Sequence, residues 1–181
     1  DEERKIEEII DKSRRDWERL LREAREIIKR SEDEWRELLE RIKRLIEETR
    51  KRAKDLKKAD GRERVVEEIE ERVRRINEET KKLVRELLEK DRKLIEDLRK
   101  KLRELREKDK RLIERIKEER DTEEIRRLLE EMDKLSREAS KRVEDILREL
   151  EERSRRMADE VRKLNEENKK LLEEAKKELK D

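Results

Sequence analysis

The sequence predicts an all-α protein, an antiparallel up-down-up three-helix bundle of long, nearly straight helices. Three observations carry this. Of 181 residues, 64% are charged and 29% hydrophobic, with one glycine, no proline and only two aromatic residues, Trp17 and Trp35. The apolar residues recur every 18 positions, and only two places read as turns. An ordinary globular domain is about half apolar and about a quarter charged. The present balance leaves too little apolar material for a sheet-containing core, but it suits long helices that each bury one narrow stripe. High charge with low hydrophobicity is also a signature of disorder. The regular spacing of the apolar residues and the scarcity of Pro, Ser and Gly argue for order.

The first helix is expected over about residues 2–59. Its inward candidates are Ile6, Ile9, Ile10, Ser13, Trp17, Leu20, Leu21, Ala24, Ile27 and Ile28, continuing with Ser31, Trp35, Leu38, Leu39, Ile42, Leu45, Ile46, Thr49, Ala53 and Leu56. Ser13 and Ser31 each precede a capping-box-like run, but no loop residue precedes either and the stripe passes through both in phase, so the helix is read as continuous. It ends in Lys57-Lys58-Ala59-Asp60-Gly61. There the sole glycine can take the left-handed conformation that stops a helix, and the lysines before it suit the helix dipole.

The second helix is expected over about 62–119, with the apolar pattern resuming at Val65. Its end falls in Glu119-Arg120-Asp121-Thr122-Glu123-Glu124, where Asp121 or Thr122 can cap the third helix, about 122–180. Glu124 stands three after Asp121, as a capping-box partner would. The three segments have nearly equal lengths, and short connections make neighbours antiparallel. One three-helix domain over 1–181 is the expectation.

Shifted by 18 residues, the stripe maps onto itself. Trp17 meets Trp35, Leu20 and Leu21 meet Leu38 and Leu39, and Ser13 meets Ser31 and then Thr49. The second segment aligns Val66, Val84 and Leu102, and the third aligns Ile125, Val143 and Val161. Eighteen residues are five turns of an α-helix at ~3.6 residues per turn, so the stripe returns to the same bearing and no left-handed supercoil is required. At ~100° per residue the first stripe spans about 120°, wide enough to face two neighbours. Outward positions are almost uniformly Glu, Lys and Arg, with i,i+4 pairs such as Glu37 with Arg41 and Glu48 with Arg52 that add ~0.2–0.5 kcal/mol each.

Polar residues inside the stripe are the most informative. In an antiparallel register with turns near 60 and 120, Ser13 falls level with Asp109 and near Ser136. One repeat along, Ser31 falls level with Asp91 and near Ser154. A third polar region gathers Asn77 opposite Asn165, with Asn168, Thr80 and Thr49 nearby. Helical side chains lean toward the N-terminus, which carries the indoles of Trp17 and Trp35 toward these levels. A buried indole N–H wants an acceptor, and a buried carboxyl group wants donors. The expected networks are therefore Asp109 accepting from Ser13, Ser136 and Trp17, and Asp91 accepting from Ser31, Ser154 and Trp35. The alternative for each residue is a solvated place at the stripe's edge; the recurrence of the whole set favours the network. Its expected effect is on register, since a shifted pairing leaves polar groups unmatched at ~1–3 kcal/mol each.

Most function classes find no support. The chain has no Cys and no His, which removes disulfides, the usual zinc ligands and His-based acid–base catalysis. No inward Glu forms a di-metal site, there is no glycine-rich phosphate loop, and no nucleophile has a base beside it. No catalytic residue, metal or cofactor is expected. Net charge is only +2 with both signs mixed along the chain, unlike a nucleic-acid-binding surface, and no apolar run could form a membrane span. A soluble protein, cytoplasmic on recombinant expression, is the expectation. A monomer is expected too, with self-association or a docking helix as alternatives.

The 18-residue inward repeat, the equal helices, the Glu, Lys and Arg surface, the minimal turn at Asp60-Gly61 and polar levels such as Ser13, Asp109 and Ser136 occur together. In that conjunction the chain resembles computationally designed, parametrically generated helical bundles with buried hydrogen-bond networks. The resemblance covers the whole chain and implies a stable structural scaffold with no natural substrate or compartment. Two natural alternatives share part of the pattern: a charged spacer, as a coiled coil or single helix, and a helical module that binds a partner helix.

Overall fold

The structure, a computed structural model, describes residues 1–58 and 60–180. Helix α1 spans Glu2–Asp55 and tightens into a 3-10 turn over Leu56–Lys58; α2 spans Arg62–Glu119 and α3 spans Glu123–Lys180. Among the described residues there is no strand. The chain is an all-α three-helix bundle. Helix α1 runs unbroken through Ser13 and Ser31, because neither serine is accompanied by a residue that would stop a helix. Acidic residues open α1 and α3 and basic residues close them, Glu2 and Glu3 against Arg52 and Lys54, Glu123 and Glu124 against Lys177 and Lys180. Both arrangements complement the helix dipole.

The first turn departs from expectation. Gly61 does not adopt a positive φ. Its carbonyl accepts the Val65 N–H at 3.2 Å, so it opens α2 instead of closing α1. The 3-10 turn has already ended the first helix, and glycine is tolerated at an N-cap. The expected end of the first helix at Ala59 lies outside the described residues. At the second turn Thr122 is the cap: its Oγ1 accepts from the Ile125 N–H at 3.3 Å and its carbonyl from Arg126 N–H at 3.0 Å. Helix α3 accordingly starts one residue later than expected. Asp121 is not the cap, because its carboxylate takes two bonds from the Arg126 guanidinium at 2.6 and 2.7 Å.

Two compact units share the three helices, Asp1–Ser31 with Arg92–Glu151 and Glu32–Asp91 with Glu152–Asp181. The first unit has two apolar clusters. One joins Ile6, Ile10, Ile113, Ile125, Leu129 and Met132. The other is built on Trp17, Leu20, Ala24, Ile95, Leu98, Leu102, Val143, Leu147 and Leu150. In the second unit, Trp35, Leu38, Leu39, Ile42, Ile46 and Val161 form one cluster, and Leu56, Val65, Val66, Ile69, Val73 and Ala175 form another. Each fully buried Leu or Ile contributes ~1.5–3 kcal/mol, so these clusters dominate stability. Among the described residues no large hydrophobic side chain is exposed.

Surface ion pairs include i,i+4 pairs such as Arg36 with Glu32 and Arg75 with Glu71, but Arg41 and Arg52 pair across helices instead of with Glu37 and Glu48. Arg41 binds Glu79 at 2.9 Å, Arg52 binds Glu68 at 2.7 Å and Arg72 binds Glu48 at 2.5 Å. These three cations flank a stripe and lie within reach of acids on the neighbouring helix. Exposed pairs of this kind contribute ~0–1 kcal/mol each.

Candidate functional site

On every helix of each unit, polar residues stand between the two apolar clusters. In the first unit these are Ser13 on α1, Asp109 on α2 and Ser136 on α3, at 4%, 1% and 0% exposure. Ser13 Oγ donates to Asp109 Oδ1 at 2.9 Å, and Trp17 Nε1 donates to Asp109 Oδ2 at 2.7 Å. Each carboxyl oxygen thus has its own donor, as a buried carboxyl group requires. Ser136, expected as the third donor to Asp109, instead accepts from Arg106 Nη1 at 3.1 Å. Arg106 also binds Asp133 Oδ1 at 3.1 Å, with its side chain only 15% exposed. Its guanidinium bridges α2 to α3.

In the second unit Trp35 Nε1 donates to Asp91 Oδ2 at 2.9 Å, and Ser154 Oγ donates to the same oxygen at 2.6 Å. Asp91, Trp35 and Ser154 are all buried. Ser31 is buried as well and belongs to the first unit. Beside this level Arg153 binds Glu32 at 3.1 Å, a pair that α3 and α1 supply.

The remaining polar residues gather between the second unit's two apolar clusters. Thr80 Oγ1 lies 2.9 Å from Asn165 Oδ1 and 3.1 Å from the Asn77 carbonyl, both acceptors for its one proton. Asn168 Nδ2 donates to Asn77 Oδ1 at 3.5 Å, the outer limit for such a bond. Thr49, fully buried, donates back to the Leu45 carbonyl of its own helix at 3.0 Å. That bond keeps its hydroxyl satisfied within α1.

Few groups outside these levels are electrostatically unusual. The Arg126 guanidinium holds the Asp121 carboxyl below the ordinary range, through its hydrogen bonds first. Glu3 is raised, mainly by a hydrogen bond to Glu124 and by that neighbour's charge. Burial alone would push Arg99 down, but bonds to Glu144 and Glu151 more than offset it. All three are surface interactions of the first unit.

Chemically, the buried levels are hydrogen-bonded side chains of Ser, Thr, Asn, Asp and Trp. Ser13 and Asp109 are bonded to each other and both are buried. Among the described residues no group of three or more metal-binding side chains converges, and no helix is long and apolar enough to cross a membrane. Sequence reasoning missed Arg106. The available signal was that position 88, one repeat away, is Leu, which marks 106 as a stripe position.

The architecture and its interior define a class, the antiparallel three-helix bundle with buried polar levels. No protein-family model and no curated protein matches the chain. Among solved structures it is similar to one described as a "Computationally designed three helix bundle", at 20% identity and a TM-score of 0.48, over 97% of this chain and 90% of that one.

Proposed function

We propose that the chain is a designed structural scaffold: a single monomeric bundle without substrate, cofactor or obligatory partner, in which buried polar levels select the helix register. The observation that carries this reading is the pair of Trp–Asp–Ser bond sets, 18 residues apart on each helix that contributes to both. Sliding one helix by a turn parts indole and hydroxyl donors from their carboxyl acceptors, at ~1–3 kcal/mol for each group left unmatched. An apolar seam alone carries no such penalty. The absence of large exposed hydrophobic residues from the described surface supports a closed, self-sufficient bundle.

Sedimentation velocity and denaturant unfolding test this in the native chain and in a variant whose first polar level is made apolar, Ser13→Ala, Trp17→Phe, Asp109→Leu and Ser136→Ala together. The native chain is expected to run as one species with the mass of one chain and to unfold sharply. The variant is expected to resist denaturant at least as well, yet to populate several species or unfold broadly. A native dimer, or a variant as uniform as the parent, would overturn the reading.

A further inference from the structure

The level of Asn77, Thr80, Asn165 and Asn168 has a counterpart in the first unit. Shifted by 18 residues, these positions are Ile95, Leu98, Leu147 and Leu150, all members of one apolar cluster. Asn and Thr fill less volume than Ile and Leu. Helix α1 returns some bulk here, with Ile42 in place of Ala24 and Thr49 in place of Ser31, but four positions have shrunk. The side chains at these four buried positions are therefore smaller than in the repeat, and three of them are amides.

One amide is incompletely used. Asn168 is 0% exposed, and its Oδ1 has no hydrogen-bond partner. Turning the amide over does not help, because it exchanges an unmatched acceptor for an unmatched donor. Asn77 and Asn165 are each 6% exposed and thus nearly as buried.

We propose that this level is a hydration site, holding one water molecule between Asn168 Oδ1 and the carboxamides of Asn77 and Asn165. Water both donates and accepts, so it satisfies Asn168 in either amide orientation. Buried waters typically make about three hydrogen bonds to groups that would otherwise lack partners. A bare cation is a poor fit, since calcium wants about six to eight oxygens and Asn165 Oδ1 already takes the Thr80 hydroxyl. The competing partner is Thr49, whose hydroxyl could leave the Leu45 carbonyl and turn toward Asn168.

Water-selective NOE and ROE spectra of the isotopically labelled full chain decide between them. The expected result is cross-peaks between the Asn168 carboxamide protons and a bound, slowly exchanging water, persisting in Thr49→Val. That variant also removes a hydroxyl whose exchange with solvent could relay a false signal. In Asn168→Leu, which restores the side chain found one repeat away, the water cross-peaks at the Asn77 and Asn165 carboxamides should be lost. A native Asn168 without a water cross-peak, or one whose cross-peak vanishes in Thr49→Val, overturns the proposal.

Discussion

The Asp109 and Asp91 levels are built from the same residue types 18 positions apart, yet they are bonded differently. Asp91 Oδ2 takes both Trp35 and the α3 residue Ser154, whereas Asp109 Oδ2 takes Trp17 and Ser13 goes to Oδ1. Ser136 and Ser154 occupy matching places on α3, but Ser136 is engaged by Arg106. The position one repeat from Arg106 is Leu88, which offers no donor. The two serines thus differ in their bonds where one flanking position differs, Arg106 against Leu88. Repetition in sequence sets where polar groups meet; the neighbours of each group set the bonds.

The largest effects should come from the acceptors. Asp109→Ala or Asp91→Ala leaves an indole N–H and a serine hydroxyl buried without their acceptor, and each variant should lose about 3 kcal/mol in denaturant unfolding. A loss under about 1 kcal/mol would mean that the donors find water instead. The indoles sharpen the contrast. Trp17→Phe strips Asp109 Oδ2 of its donor, whereas in Trp35→Phe the Ser154 hydroxyl still reaches Asp91 Oδ2. Trp17→Phe should cost about 2 kcal/mol and Trp35→Phe about 1 kcal/mol less; equal losses would erase the distinction between the levels.

Arg106→Leu makes the first level resemble the second. Stability should change by less than about 1 kcal/mol, since a partly buried ion pair gives way to apolar packing. In a crystal structure of the variant, Ser136 Oγ should turn to Asp109. If Ser136 keeps its rotamer, Arg106 is not what directs it.

The two turns form a smaller comparison of the same kind. Thr122 caps α3 with its side chain, while Gly61 opens α2 with none. A Cβ built at Gly61 meets nothing within 4 Å, and its φ is not positive. Gly61→Ser should therefore raise stability by about 0.5 kcal/mol, through capping and a less flexible unfolded chain. A loss would mean that the turn needs a left-handed residue after all. Smallest is the exposed Asp121–Arg126 pair. Because the folded-state pKa of Asp121 is lowered, its contribution is present above the unfolded carboxylate range and is lost as pH falls through the folded value. In Asp121→Asn the acid limb of a stability–pH curve should be slightly shallower there, the pair being screened by solvent.

Much of this was legible in the sequence because an 18-residue period coincides with five helical turns. The three helices and the inward bearings of Trp17, Trp35, Asp91 and Asp109 all follow from that coincidence. What was not legible depends on reach and rotation. Arg106 reads as one more surface cation, yet its side chain is only 15% exposed and its guanidinium reaches Ser136. Ser136 can donate and accept at once, so its partners depend on its rotamer and on which neighbours reach it. Thr49 turns back to its own helix because a β-branched hydroxyl finds the i−4 carbonyl without crossing the bundle. Gly61 failed for a different reason: one glycine serves either side of a turn, and the 3-10 ending of α1 decided which.

Hydrogen exchange of the two indole N–H protons, followed by NMR in the intact chain, bears most directly on the buried levels. Bonded to Asp109 and Asp91 at 2.7 and 2.9 Å, both should exchange only as fast as the whole bundle unfolds, and an aspartate variant should release its own indole first. Exchange of either proton at the rate of a solvent-exposed tryptophan, under conditions where the helices persist, would contradict the bonded interior.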